Sequence, residues 1–329
     1  MRRRDFIAAF GGAVATWPLA ASAQQPDRMR RIGILMPYPI SDAEIQTRIQ
    51  VFRRELARLG WSDGGNVQFD ERWSTDNMDM VRADATDLVA LNPDVILISG
   101  DRVIPVLAKL TSSIPIVVAI TTDPLASDVV ESLARPGRNV TGFSSIEFSI
   151  FGKWIETLKR IVPGISHVGM IYNPDNPHAA AYLPSFETGA RQFAVQPVTL
   201  PIHGLADVER AIAGIGEQPN GGILFAPDLT IVSLRTQVVA LVARHRVPAI
   251  FFDPVFVAAG ALVSYGADRV VMFQQAATYV DRILRGEKAG ELPFQQPTIY
   301  RLVINLKTAK ALGLTVPDTL LVAADEVIE

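Results

Sequence analysis

The sequence predicts an α/β protein of two doubly wound parallel-sheet lobes joined by a multi-crossing hinge. Three observations predict it. Short charge-free runs rich in β-branched residues, such as Ile114–Ile120, alternate strictly with segments of helical spacing, which is the pattern of buried parallel strands and their crossover helices. The same alternation restarts after Phe143. Further strand and helix signals follow the second unit, so the chain is expected to return to the first lobe.

The elements follow in order. Arg31–Met36 reads as the first buried strand, stopped by Pro37-Tyr38-Pro39. From about Ala43 to Leu59, Ile45, Ile49, Phe52, Leu56 and Leu59 share one helical face, and Gly60 ends it. Asn66–Trp73 alternates as a second strand; Met78–Leu91 is helical; Val95–Ser99 is a third strand. A helix over Val103–Leu110 leads to Ile114–Ile120. Thr122-Asp123-Pro124 is a helix start, because Pro suits the first helical position and the side chain before it caps free N–H groups. Helical spacing then continues through Val129, Val130 and Leu133. Beyond Phe143, strands are expected at His167–Tyr172, Gln196–Pro201, Gly222–Ala226, Ala249–Phe252 and Ala261–Tyr265, all in parallel sheets, with helices between them. A helix over Val270–Leu284, a Pro/Gly-containing linker and an extended Ile299–Asn305 complete the reading. The expected division is 1–23 as a signal peptide, 24–142 with 254–290 as one lobe, and 143–253 with 291–329 as the other.

Composition narrows the function. The 329 residues are 49% hydrophobic and 20% charged, enough for two cores. There is no cysteine, which excludes disulfides, thiolate metal sites and a cysteine nucleophile. The net charge of −3, with no long basic run past the N-terminus, disfavours nucleic acid. Arg2-Arg3-Arg4-Asp5-Phe6-Ile7, a mildly apolar Ala/Gly stretch and Ala21-Ser22-Ala23 make a basic segment, an apolar segment and a cleavage signal. Arg3-Arg4-Asp5-Phe6-Ile7 matches the twin-arginine export pattern. A periplasmic location, with cleavage near Ala23, is the expectation.

Catalytic motifs do not emerge. The four histidines, His167, His178, His203 and His245, are not paired at metal-ligand spacing. No G-x-S-x-G is present. Gly137–Gly142 spaces its glycines like a phosphate loop, but Phe143 stands where a lysine is needed. No cofactor, metal or catalytic residue is therefore assigned. What recurs is a polar set directly after buried strands: Ser99, Gly100 and Asp101; Thr121, Thr122 and Asp123; Asn173; Asp228; and Asp253, with Tyr38 beside the first strand. If both sheets point their carboxyl ends at one cleft, these residues meet there. Hydroxyls and free N–H groups suit a carboxylate, an aspartate suits an ammonium, and Tyr38, Phe143 and Phe252 suit an apolar body. Taken singly, each polar residue fits a cap or turn better; taken together, they read as ligand-binding.

The segment T-D-P-x-x-x-x-x-V-x-S-L-x-x-P-G-x-N-V-T-G (Thr122–Gly142) resembles the signature of bacterial ABC-transporter substrate-binding proteins of the tryptophan/tyrosine-binding type. Tyr172-Asn173-Pro174, Asp253-Pro254 with Gly260–Gly266, and the run Ile304–Leu314 extend the likeness over nearly all of the chain past residue 23. The resemblance implies a type I periplasmic-binding-protein-like fold with three hinge crossings, no catalysis and no cofactor. It implies capture of a small, amino-acid-like solute, aromatic ones included, and delivery to an ABC-transporter permease in the inner membrane. A monomer is expected. Two rivals stay open from sequence: a ligand-sensing module for a membrane receptor, and an exported enzyme using paired aspartates.

Overall fold

The structure of the protein is a computed structural model that describes residues 28–75, 77–176 and 178–329, without the side chain of Ser127. The expected signal peptide over 1–23 lies outside the described residues. In the first lobe the order is β1 (Arg30–Met36), α1 (Ala43–Arg58), β2 (Val67–Trp73), α2 (Met78–Ala90), β3 (Val95–Ser99), α3 (Ile104–Leu110), β4 (Ile116–Thr121) and β5 (Val140–Ser144). The strands form one parallel sheet in the order β2-β1-β3-β4-β5. Alternate side chains of each strand go to opposite faces. Ile32, Ile34, Leu97 and Val117 pack under α1 through Ile45, Ile49, Phe52 and Leu56, while Leu35, Ile96, Ile98 and Val118 meet α2 and α3. Each such fully buried aliphatic or aromatic side chain contributes roughly 1.5–3 kcal/mol.

The expected helix through Leu133 stops early. Asp123 caps a single 3₁₀ turn, Pro124–Ser127, and Asp128 then takes a left-handed φ of 55° that ends helical winding.

In the second lobe, α4 (Ile150–Ile161), β6 (His167–Tyr172), α5 (Ala179–Gln192), β7 (Gln196–Pro201), α6 (Leu205–Gly216), β8 (Gly221–Phe225), α7 (Leu229–Ser233), α8 (Arg235–Arg244), β9 (Ala249–Phe251), α9 (Pro254–Ala258) and β10 (Val263–Ala267) follow one another. The chain then places α10 (Arg269–Leu284) on the first lobe, against α1 and β4, before β11 (Tyr300–Asn305), α11 (Leu306–Leu312), α12 (Asp318–Leu321) and β12 (Glu326–Ile328). The second sheet runs β12-β11-β10-β9-β8-β6-β7.

Two expectations change. The second sheet is not wholly parallel: β11 runs antiparallel to β10, with Val263 opposite Ile304. The lobe boundaries also shift. Residues 254–267 were expected in the first lobe, but β10 pairs with β9 and so belongs to the second. Residues 291–295 were expected in the second lobe, but Thr141 Oγ1 donates to the Leu292 carbonyl at 2.7 Å, and Gln295 N donates to the Gly142 carbonyl at 3.0 Å. That segment is stitched along β5. The chain passes between lobes after β5, after β10 and before β11.

Buried charges tie the lobes together. Arg48 on α1 donates through Nη2 to both carboxylate oxygens of Asp253, which follows β9, at 3.1 and 2.9 Å. Arg269, the first residue of α10, brings Nε to 3.0 Å from the same carboxylate. Asp42, the cap of α1, receives Nη1 of Arg235 from the second lobe at 2.7 Å. Asp253 is 1% exposed and Arg48 4% exposed, so this contact is made away from water.

Gly142 marks the closest backbone approach in the first sheet. Its φ is +153°, and a Cβ there would stand 2.1 Å from the Val118 carbonyl oxygen. Gly142→Ala is expected to lower stability by at least about 2 kcal/mol, since backbone must move and the conformation disfavours a side chain; chemical denaturation would measure it. The ion cluster gives a second expectation. Burial pushes the Asp253 carboxyl up, but the charges of Arg48 and Arg269 outweigh it and hold it below the ordinary carboxylate range. Its contribution is then complete above the ordinary Asp value of about 3.9 and lost as pH falls through the lower value of the closed protein. Small-angle scattering should show the lobes separating only in that acid window. Arg48→Ala should separate them at neutral pH and cost about 3 kcal/mol, as breaking a buried pair does.

Candidate functional site

The parallel strands of both lobes end at the interface, so the turns after β1, β3, β4, β8 and β9 face one another across a narrow cavity of about 40 Å³. Of the residues expected there, Tyr38, Gly100, Asp101, Thr122 and Asp228 line it. Ser145, Asn176, Phe252, Arg102 and Arg269 join them.

Asp101 is the most heavily engaged of these. It accepts from the Thr121 hydroxyl, from Thr122 N at 2.6 Å and from Thr122 Oγ1 at 2.8 Å. From the opposite lobe, Nε2 of His178 lies 2.9 Å from Oδ1. Burial pushes this carboxyl up; the imidazole and the donors of Thr121 and Thr122 outweigh it and hold it below its ordinary value.

Asp228 is different. It follows β8 and caps α7 by accepting from Thr230 N at 2.9 Å. Asn173 Nδ2 donates to Oδ1 at 3.3 Å and Asn176 Nδ2 to Oδ2 at 3.1 Å. No cation pairs with it among the described residues. Burial therefore dominates and raises its pKa, the amide donors offsetting only part.

Facing it across the cavity is positive charge. Arg269 stacks its guanidinium 5.0 Å over the Phe252 ring while pairing with Asp253. Arg48 and Arg269 share that one carboxylate, so the buried cluster keeps an excess positive charge. Arg102 makes no ion pair among the described residues. The walls thus offer a carboxyl in need of a cation and guanidiniums able to hold an anion.

The remaining expected residues sit behind this wall or outside it. Ser99 is buried beneath Gly100, and its Oγ has no hydrogen-bond partner among the described residues. Thr121 and Asn173 orient Asp101 and Asp228. Asp123 caps Leu125 N at 3.0 Å and does not reach the cavity. Asp253, expected to take an amine, already holds two guanidiniums and caps Val255 N, which leaves it no open face toward the cavity. Sequence reasoning missed Arg269, Arg102, Asn176 and His178. His178 was weighed only as a metal ligand, and Arg269 bore no mark beyond following the helix cap Asp268.

No helix among the described residues is long and apolar enough to cross a membrane. Residues 33–328 match the family described as ABC transporter substrate binding protein. The chain is 25% identical over 264 residues to a tyrosine-binding protein of Clostridioides difficile, covering 80% of this chain and 75% of that one. A conserved domain protein from Vibrio cholerae superposes with a TM-score of 0.84 at 27% identity, over 91% of this chain and all (100%) of that one. An ABC domain in complex with L-Trp from Streptococcus pneumonia superposes with a TM-score of 0.84 at 24% identity, over 91% and 99%. The fold is that of type I periplasmic binding proteins. The matched family and the tyrosine-binding relative are solute-binding proteins, not enzymes. On the match over 33–328, the chain belongs to the family of ABC transporter substrate-binding proteins.

Proposed function

We propose that this is an exported, periplasmic binding protein that captures a free amino acid between its lobes and hands it to an ABC-transporter permease. The observation that carries the ligand class is the pairing of opposite poles across one cavity. Asp228 has no cation partner among the described residues and a raised pKa; Arg269 and Arg102 supply guanidiniums with anion-binding capacity to spare. An α-amino acid brings its ammonium to Asp228 and its carboxylate to Arg269, with Ser145 able to add a hydroxyl. The relatives that bind tyrosine and tryptophan favour the same class. Closure then follows from occupancy. Each pole belongs to a different part of the interface, so a ligand that spans them stabilises the closed form over the open one.

A thermal-shift screen of the standard amino acids tests the reading. A ligand at about one hundred times its Kd should add about 2.7 kcal/mol by mass action; a screen in which none moves the melting point defeats it. Asp228→Ala should weaken binding by roughly 30-fold or more, the scale for truncating one member of a buried charge pair. Calorimetry would measure that loss. Affinity should also fall on acidification, because the ammonium needs the ionised carboxylate. Since Asp228 sits above its ordinary value, the fall should begin at a higher pH than for a solvated aspartate. Calorimetry at a series of pH values reads this directly.

A further inference from the structure

We infer that the solute is an α-amino acid carrying a second acidic group, glutamate being a simple case, and that Arg102 is the residue that selects it. This rests on the amino-acid reading above and departs from the relatives named for tyrosine and tryptophan. The charged groups on the cavity wall do not balance for a neutral amino acid. Of the two lining carboxylates, Asp101 has both oxygens taken: Oδ1 by the Thr121 hydroxyl, by Thr122 N and by the nearby His178 ring, and Oδ2 by the Thr122 hydroxyl. Asp228 has no cation beside it among the described residues. Two guanidiniums share the wall with it. Arg269 belongs to the cluster with Arg48 and Asp253, which keeps one positive charge over. Arg102 makes no ion pair and no side-chain hydrogen bond among the described residues. A neutral amino acid answers Asp228 with its ammonium and Arg269 with its carboxylate, and leaves Arg102 over. A second carboxylate on the ligand answers that one too.

Arg102 also stands where such a group has room. The cavity of about 40 Å³ takes only a few water-sized groups, one water needing about 10–15 Å³, so any amino acid reaches past its walls. Arg102 lines this cavity and also a groove of about 630 Å³ between α2 and α3. Met78, Val106 and Leu110 give that groove an apolar lining. Its charges are again unbalanced. Arg82 is held by Asp79 at 2.6 Å, and Asp175, from the second lobe, lies 3.1 Å from Nδ1 of His203. Lys109 makes no ion pair among the described residues, so it joins Arg102 as a second cation without a partner. A side chain that leaves the cavity past Arg102 thus meets apolar surface for its stem and positive charge for its end. Arg102 is half-buried, so its attraction for a carboxylate is screened less than at the open surface.

Calorimetry on the purified protein with glutamate, 2-aminoadipate, glutamine, tyrosine and tryptophan decides the matter. At least one of the two acids should bind about tenfold or more tightly than glutamine or either aromatic, the scale of one charge-assisted bond. Glutamine, tyrosine or tryptophan binding as tightly as the better acid would overturn the inference and leave the amino-acid reading standing. Binding by no α-amino acid at all would overturn both. Arg102→Gln, or Arg102→Met should that protein not fold, should remove most of the preference for the acid over glutamine. Arg102→Lys, which keeps the charge, should retain most of it. An unchanged preference in the folded neutral variant, or an equal loss in Arg102→Lys, would remove the charge of Arg102 as the determinant.

Discussion

Two guanidiniums converge on one buried carboxylate, and the arrangement of the lobes depends on that contact. Asp253 closes a strand of the second sheet; Arg48 comes from the first helix of the first lobe; Arg269 comes from the helix that crosses back. An isolated charge at that depth would be prohibitive, and a single ion pair would be marginal against desolvation. With two arginines the attraction prevails, and the cluster also carries a positive surplus at the edge of the cavity. The element that locks the lobes is thus also the one that, under the proposed function, would hold the ligand's carboxylate.

The other carboxylates of the interface are handled in contrasting ways. Asp101 is surrounded by donors and an imidazole and stays ionised. Asp228 is surrounded by neutral donors, amides and the Thr230 hydroxyl, with no cation beside it among the described residues. Chemically identical groups, each at the end of a parallel strand, are assigned separate tasks by their neighbours. Under the proposed function only the unsatisfied one would gain by meeting a ligand, whose ammonium would supply the missing cation.

Much of the fold was legible because its cause is local. Buried strands such as Ile116–Thr121 and the apolar face of α1 are written in the spacing of their own residues. The turns that line the cavity were legible because parallel sheets deliver their carboxyl ends to one place. What escaped was non-local. Nothing near Val263–Ala267 says that β11 will pair with it antiparallel, because strand direction depends on the route of α10 between them. Arg48 and Asp253 are separated by 205 positions, so neither could announce the other. A helix through Val129 to Leu133 was misread for a different reason: its apolar spacing is real, but the left-handed Asp128 interrupts the winding.

The stitching of residues 290–295 along β5 bears on how the molecule is assembled as it leaves the ribosome. The first lobe to be translated lacks α10 and this edge segment until the whole of α4 through β10 has emerged. The strands β6 to β10 with their helices form an uninterrupted stretch. That half is not complete at this point either, because its sheet still lacks β11 and β12, which are encoded after the edge segment. Nascent chains generally complete units one after another from the N-terminus; here both lobes stay unfinished until the last fifth of the chain has been made, so neither is completed well ahead of the other.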